Sequence, residues 1–185
     1  VFDAGTILFP LAYIIGDIIT EIYGFRRMRR LLYIGLSMLA LTTLTFWLVG
    51  LLPSPTDWQN QEAYDAILGV VWRIVFASMV AFFVGELLNS YILAKLKIKT
   101  QGKKLWNRLV SSSAIGSFLD TVIFSVLAFG GTVSGNTMLQ LIATVFVIKL
   151  ATEILLSPLT MKIIAFIKKK ERLDTFEEPS LLFNS

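Results

Sequence analysis

Long apolar runs recur along this chain and restrict how it can fold. A bilayer core of about 30 Å requires roughly 20 apolar residues of helix. The four longest runs are residues 31–52, 66–94, 105–129 and 137–167. A fifth run, residues 1–24, meets this length with Pro10 inside it, and membrane helices tolerate proline where neighbours satisfy the freed carbonyl. Only 16% of the residues are charged, against about 25% in soluble domains. The sequence therefore predicts an all-α, polytopic transmembrane bundle with five helices in this chain.

The basic residues predict the orientation of these helices. Fifteen of the 17 Lys and Arg residues lie in every second connection between the apolar runs. They occupy residues 26–30, 95–108 and 162–172, whereas residues 53–65 and 130–136 contain none. This asymmetry follows the positive-inside rule, so the basic connections and the C-terminus are expected to be cytoplasmic. A sixth helix is expected upstream of Val1, and the topology explains the basic clusters without a nucleic-acid partner.

The remaining composition divides the chain into two regions and argues against an enzyme. Residues 1–167 form the predicted transmembrane domain, and residues 168–185, which are charged and then polar, form a cytoplasmic tail predicted to be disordered. The chain has no His and no Cys, so neither a metal site nor a cofactor is expected. Motifs for a nucleophile, a phosphate loop or a dinucleotide are also missing, which argues against an enzyme.

Ionisable side chains lie deep inside four of the apolar runs. A rise of about 1.5 Å per residue puts Asp17 about 10 Å, Glu86 about 13 Å and Asp120 about 18 Å from the basic connections. Lys149 lies about 18 Å from the opposite end by the same measure. A charge at a helix centre costs about 2.5–3.5 kcal/mol. These groups predict a polar substrate site or a proton path, although a buried ion network that fixes helix packing would also account for them.

The spacing of neighbouring residues extends this set. Asp17 and Glu21 are four residues apart, and residues three or four apart share one helix face. Asn89 stands in the same relation to Glu86. Lys149 and Glu153 are again four apart, so they could pair within one helix.

Small residues within the run 105–129 predict close helix packing. Ser112 and Gly116 form a small-xxx-small pair, as do Ser113 and Ser117, and such faces let two helices approach each other. Pro158 lies inside the last run and predicts a kink there.

Four segments of the chain resemble a known family in the same order. "ILFPLAYIIGDIITEIYG" (7–24) resembles the Asp-x-x-Thr-Glu-x-Tyr-Gly segment, preceded by Phe-Pro, of the bacterial queuosine precursor transporters. Residues 86–97, 105–129 and 148–160 resemble its later motifs. The resemblance covers essentially the whole chain. It implies a six-helix protein of the bacterial inner membrane, whose first helix is missing here, and uptake of 7-cyano-7-deazaguanine or its aminomethyl relative.

The substrate implied by this resemblance suits the buried acids. A guanine-like edge offers a ring N–H and an exocyclic amine, and a carboxylate can accept both in strong, charge-assisted hydrogen bonds. The direct ligands are expected to be Glu86 and Asp120, supported by Asn89, Asp17 and Glu21. A supporting charge network would comprise Lys149, Glu153 and Arg108. The expected partners are this small deazapurine and the lipid bilayer, and a homo-oligomer is left open.

Two other functions remain open at this point. Small membrane vitamin binders of about six helices serve as substrate-binding subunits of ATP-driven uptake systems. A non-transport membrane scaffold, in which the buried charges only lock the helices together, is the other alternative. The sequence does not distinguish proton-coupled, facilitated and ATP-driven uptake.

Overall fold

The computed structural model describes residues 9–180, apart from residues 54, 56 and 65–70. Within these residues all regular structure is helical: α1 (Phe9–Tyr23), α2 (Phe25–Gly50), α3 (Gln61–Tyr64), α4 (Val71–Lys99), α5 (Leu105–Phe129) and α6 (Gly135–Glu171). Helices α2, α4, α5 and α6 are long and apolar enough to cross a membrane. The predicted all-α membrane bundle is confirmed. The start of the predicted first helix, residues 1–8, lies outside the described residues.

Helices α4 and α5 form an antiparallel hairpin at the core of the bundle. Helix α6 packs against α5 and α1, and α1 also contacts α4 and α2. The buried residues of α2 all lie in its first turns: Phe25, Met28, Arg29 and Leu32. The rest of α2 is exposed and mostly apolar, which suits a surface that faces lipid tails.

Two glycines bring α4 and α5 together. A Cβ atom added to Gly85 would lie 2.6 Å from the Cβ of Asp120 and 2.9 Å from the carbonyl oxygen of Gly116. A Cβ atom at Gly116 would lie 2.7 Å from both the Cβ of Asn89 and the carbonyl oxygen of Gly85. The close packing predicted from the small residues of α5 is therefore found at Gly116.

Gly85→Ala is expected to destabilise the bundle by about 1–3 kcal/mol, because overpacking forces the two helix backbones apart. The matched control is Gly35→Ala in α2, where the added Cβ meets nothing within 4 Å. That change should be neutral or stabilising by up to about 1 kcal/mol, since alanine favours a helix. Denaturation of detergent-purified protein measures both variants, and equal stability of the two would contradict the packing described here.

Helix α6 continues through Pro158, which lies inside its span. Proline has no amide hydrogen for the carbonyl four residues before it, here that of Ile154. The hydroxyl of Ser157 donates to this carbonyl at 2.8 Å, and the indole nitrogen of Trp106 donates to the Ser157 hydroxyl at 2.9 Å. This relay from α5 satisfies the freed carbonyl and lets the helix continue.

Arg73 closes the far end of α5. Its Nε donates to the carbonyl of Leu127 at 2.9 Å and its Nη2 to that of Gly130 at 2.7 Å. The last carbonyls of a helix have no partner within it, and a cation there also meets the negative end of the helix dipole. One of the two bases inside the predicted helices therefore serves as a helix cap.

The end of the chain packs against the bundle. Residues 168–185 were predicted to be a disordered tail, but α6 extends to Glu171 and residues 172–180, here the C-terminal strap, bind the beginning of α2 and the end of α1. The strap contacts are Thr175 N to Ile22 O (3.1 Å), Arg26 N to Glu177 Oε1 (2.6 Å) and Arg29 Nη1 to Ser180 O (2.6 Å). The strap is polar because its partners are main-chain and basic groups. Low hydropathy is also typical of disordered segments, so the composition alone predicted disorder. Residues 181–185 lie outside the described residues.

Candidate functional site

Four carboxyl groups from four helices are buried inside the bundle. Asp17 of α1 and Glu86 of α4 have no exposed surface, while Asp120 of α5 and Glu153 of α6 are 1% and 5% exposed. We call these four residues the central acidic cluster. Lys149 of α6 is buried beside them, and its ammonium group bonds Asp120 Oδ2. The helical rise predicted this burial for Asp17, Glu86, Asp120 and Lys149.

Asp17 is held by two other helices. Asn89 of α4 donates from Nδ2 to Asp17 Oδ1 at 2.8 Å. On α5, the Oγ of Ser113 lies 3.3 Å from Asp17 Oδ2 and 3.3 Å from Glu153 Oε1. The carboxyl groups of Asp17 and Glu153 adjoin each other. A single serine thus links the acids of α1 and α6.

Glu86 lies directly against the backbone of α1. A Cβ atom added to Gly16 would fall 1.9 Å from Glu86 Oε1, so only glycine leaves room for this carboxyl group. Ser90, one turn further along α4, donates to Glu86 Oε1 at 3.2 Å, and Thr20 donates to the Ser90 hydroxyl at 3.1 Å. The second oxygen, Oε2, is left for another partner.

Several buried polar atoms at this site have no partner. Among the described residues these atoms are Tyr13 Oη, Glu86 Oε2, Asn89 Oδ1, Ser117 Oγ, Asp120 Oδ1 and Ser125 Oγ. Buried polar atoms in proteins are nearly always hydrogen-bonded, so each exception requires a reason. Three of the six are amide or carboxyl oxygens that can accept from a ligand, and three are hydroxyls that can donate or accept.

The charge balance of the site favours a ligand that donates hydrogen bonds. The central acidic cluster has four carboxyl groups, and one ammonium group, that of Lys149, is bonded to it. A buried charge requires a partner, water or neutralisation. A planar ligand with several N–H groups, or with a positive charge, would satisfy the oxygens that remain free.

A second ionic cluster closes the end of the bundle at which α1 and α4 end and α5 begins. Arg108 binds Glu21 with two hydrogen bonds, at 2.7 and 3.1 Å, and Lys168 donates to Glu21 Oε1 at 2.7 Å. Lys97 lies 3.7 Å from the same oxygen and bonds Asp174 of the strap. Lys168 also contacts Asp174, at 2.9 Å. We call these five residues the basic-end ion cluster.

Asp174 connects the C-terminal strap to this cluster through its ion pairs with Lys97 and Lys168. Burial alone would raise the pKa of Asp174, but hydrogen bonds from Lys97 and Lys168 outweigh that effect and hold the pKa below its usual value. The carboxylate therefore stays ionised at neutral pH. Its charge complements the two lysines that also contact Glu21.

The structure separates the predicted site residues into these two groups. Asp17, Glu86, Asn89, Asp120, Lys149 and Glu153 belong to the central site, whereas Glu21 and Arg108 belong to the basic-end ion cluster. Both carboxylate oxygens of Glu21 are occupied by bases, although the sequence grouped it with the substrate ligands. Lys149 bonds Asp120 of another helix, whereas the sequence suggested a pair with Glu153 in its own.

The sequence pattern does not identify some residues of the two clusters. Tyr13 and Ser90 lie one helical turn from Asp17 and Glu86, so their spacing on the same helix faces is an available signal. The small size of Ser113 predicts packing alone. Lys97 and Lys168 lie in basic connections that the positive-inside rule already explains.

Ionisable residues inside a membrane mark substrate or ion pathways. A membrane-spanning helical bundle with buried charges and unsatisfied polar atoms is therefore typical of membrane transporters. Residues 3–163 match the model of the family described as "Putative vitamin uptake transporter". The match covers most of the chain, and the protein belongs to this family.

Three curated relatives specify the class further. A "Probable queuosine precursor transporter" of Bacillus subtilis (strain 168) is 28% identical over 158 residues, covering 83% of this chain and 68% of the relative. A protein of that name from Haemophilus influenzae is 28% identical over 125 residues, and the "Queuosine precursor transporter" of Escherichia coli (strain K12) is 25% identical over 125. The last two matches cover 68% of this chain and 51% and 54% of those relatives. The resemblance described from the sequence motifs is confirmed. No solved structure was found to match the chain.

Proposed function

We propose that this protein takes up a queuosine precursor, 7-cyano-7-deazaguanine or 7-aminomethyl-7-deazaguanine, across the bacterial inner membrane. The observation that carries the proposal is the set of unpartnered oxygens on Glu86, Asp120 and Asn89 inside the membrane bundle. The names of the curated relatives supply the substrate class. Transport leaves the substrate unchanged, so no catalytic step forms part of the proposal.

The free atoms of the site complement a deazaguanine. Its ring N–H and exocyclic amine would donate to Glu86 Oε2 and Asp120 Oδ1, in charge-assisted hydrogen bonds. The free Oδ1 of Asn89 adds an acceptor. The hydroxyls of Tyr13 and Ser117 can donate to the carbonyl or a ring nitrogen of the base. The aminomethyl form is cationic and would also offset the excess of carboxyl groups.

The two ends of the bundle have different parts in this proposal. The basic connections and the strap would face the cytoplasm, as the positive-inside rule expects. Substrate would enter the central site from the other end, near Arg73 and the α5–α6 connection. It would leave past the basic-end ion cluster, whose ion pairs join α1, α4, α5 and α6.

Glu86→Gln and Asp120→Asn are expected to weaken precursor binding roughly tenfold to hundredfold. Each change replaces an acceptor with a donor, and an unpaired buried polar group costs about 1–3 kcal/mol, with about 1.4 kcal/mol per tenfold. Calorimetry on detergent-purified, monodisperse protein measures the affinity for both deazaguanines, guanine and water-soluble vitamins. Glu86→Gln is the cleaner variant, because Asp120 also bonds Lys149.

Two exposed acids between α2 and α4 provide matched controls. Glu62→Gln and Asp57→Asn make the same chemical changes on exposed residues, and both should bind like the parent. If Glu86→Gln and Asp120→Asn stay within about twofold of the parent, these carboxylates do not bind the base. Tight binding without uptake into liposomes that contain this protein alone would favour the substrate-binding subunit of an ATP-driven system. If the two variants unfold and the parent binds none of these ligands, the buried charges would have a structural role and the protein would be a scaffold.

A further inference from the structure

Ser113 contacts two carboxyl groups, and its hydroxyl has only one hydrogen to donate to them. Its Oγ lies 3.3 Å from Asp17 Oδ2 and 3.3 Å from Glu153 Oε1. A hydroxyl has one hydrogen to donate, and an ionised carboxylate has none. Two separate hydrogen bonds, rather than one hydrogen shared between two acceptors, form only when one of the two carboxyl groups carries a proton and donates it to the serine.

That proton belongs to the Asp17–Glu153 pair as a unit. Asp17 Oδ1 accepts from Asn89 Nδ2 at 2.8 Å, a hydrogen bond that both the ionised and the protonated acid can accept. The protonated acid of the pair donates its O–H to Ser113 Oγ, and Ser113 donates to the ionised acid. Two adjoining carboxyl groups also repel each other when both are ionised, and one shared proton removes that repulsion.

We propose that Asp17, Ser113 and Glu153 form a proton site, and that the protein takes up its substrate together with a proton. This inference rests on the proposed function and supplies its energy source. A proton from the outer aqueous phase forms the O–H bond on the carboxyl pair. That bond breaks on the cytoplasmic side and the proton passes to water there, so each cycle moves a proton inward without a chemical change in the substrate.

The proton site is distinct from the atoms proposed to bind the base. Those are Glu86 Oε2 and Asp120 Oδ1, whereas the bridge uses Asp17 Oδ2 and Glu153 Oε1. The two sets are nonetheless close enough to influence each other. The titratable groups around the pair are Tyr13 on α1, Glu86 on α4, Asp120 on α5 and Lys149 on α6. A cationic or donor-rich substrate among these groups would change the affinity of the pair for its proton.

The experiment uses purified protein in liposomes and neutral 7-cyano-7-deazaguanine. A gradient of one pH unit, acid outside, is worth about 1.4 kcal/mol and supports about tenfold accumulation with one proton per substrate. We expect accumulation toward that ratio and its loss when a protonophore is added. Equal concentrations on both sides, in protein that binds and exchanges the substrate, would overturn the proton site. A parent that binds no deazaguanine would instead overturn the proposed function.

Variants locate the proton on the named residues. A pH indicator outside the liposomes gives the number of protons moved per substrate molecule, a ratio that does not depend on the uptake rate. The ratio should fall from about one toward zero in Glu153→Gln, because glutamine carries no titratable proton. Ser113→Ala removes the bridge alone and should also lower the ratio, whereas Ser111→Ala, an exposed serine on the same helix, should not. An unchanged ratio in both Glu153→Gln and Ser113→Ala would overturn the assignment.

Discussion

Glu21→Gln is expected to destabilise the bundle by about 3–5 kcal/mol, the usual cost of removing one partner from a buried ion pair. The change leaves Lys97, Arg108 and Lys168 with one acid, Asp174, which belongs to the strap and is partly exposed. Arg108 is 2% exposed, so its charge cannot turn to solvent without separating α1 from α5. The measurement is the denaturation midpoint and the yield of monodisperse protein after detergent extraction.

Two further variants test whether the charge imbalance is the cause. Glu62→Gln makes the same substitution at an exposed position and should leave stability within about 0.5 kcal/mol of the parent. Adding Lys168→Gln to Glu21→Gln removes one of the three bases and should recover part of the loss. Parent-like stability of Glu21→Gln, or further destabilisation in the double variant, would mean that the ion cluster does not hold the helices together.

Lys149→Met is expected to cost a similar amount, about 3–5 kcal/mol, because it leaves Asp120 inside the bundle without its bonded cation. Methionine keeps the length of the side chain and removes the charge. The matched control on the same helix is Lys162→Met, at an exposed position, which should have little effect. Denaturation in detergent compares the two, and equal midpoints would contradict a structural role for the pair.

The double variant Lys149→Met, Asp120→Leu separates the stability of the ion pair from its function. Replacing a whole buried ion pair with apolar residues is often neutral or stabilising, so stability should return toward that of the parent. Precursor binding should not return, because Asp120 is a proposed ligand of the base. Recovery of binding in the double variant would remove Asp120 from the site.

The sequence predicted the depth of the buried groups but not the direction in which each faces. Counting residues from the basic connections located Asp17, Glu86 and Asp120 inside the bundle, and all three are buried there. Depth along a helix follows from a fixed rise per residue, whereas contacts depend on helix rotation and crossing. Glu21 shares a face with Asp17, yet one turn further along α1 brings it within reach of Arg108 and Lys168.

Contacts between distant parts of the chain account for most of what the sequence did not predict. Glu21 is 87 residues from Arg108 and 147 from Lys168, and no local periodicity relates such positions. The polar composition of the strap predicted disorder, because composition alone does not show that a polar segment has a polar partner elsewhere in the chain. Ser113 has the size of a packing residue, and only the structure shows carboxyl groups on both sides of it.

The basic-end ion cluster also imposes an order on assembly. Glu21 is synthesised 147 residues before Lys168. Until α5 and the end of α6 are in place, the Glu21 carboxylate lacks the bases that later surround it, and a buried charge without a partner is costly. We therefore expect α1 to reach its final position only after α6 has been inserted. A chain truncated before Lys168 should hold α1 less firmly in the bundle.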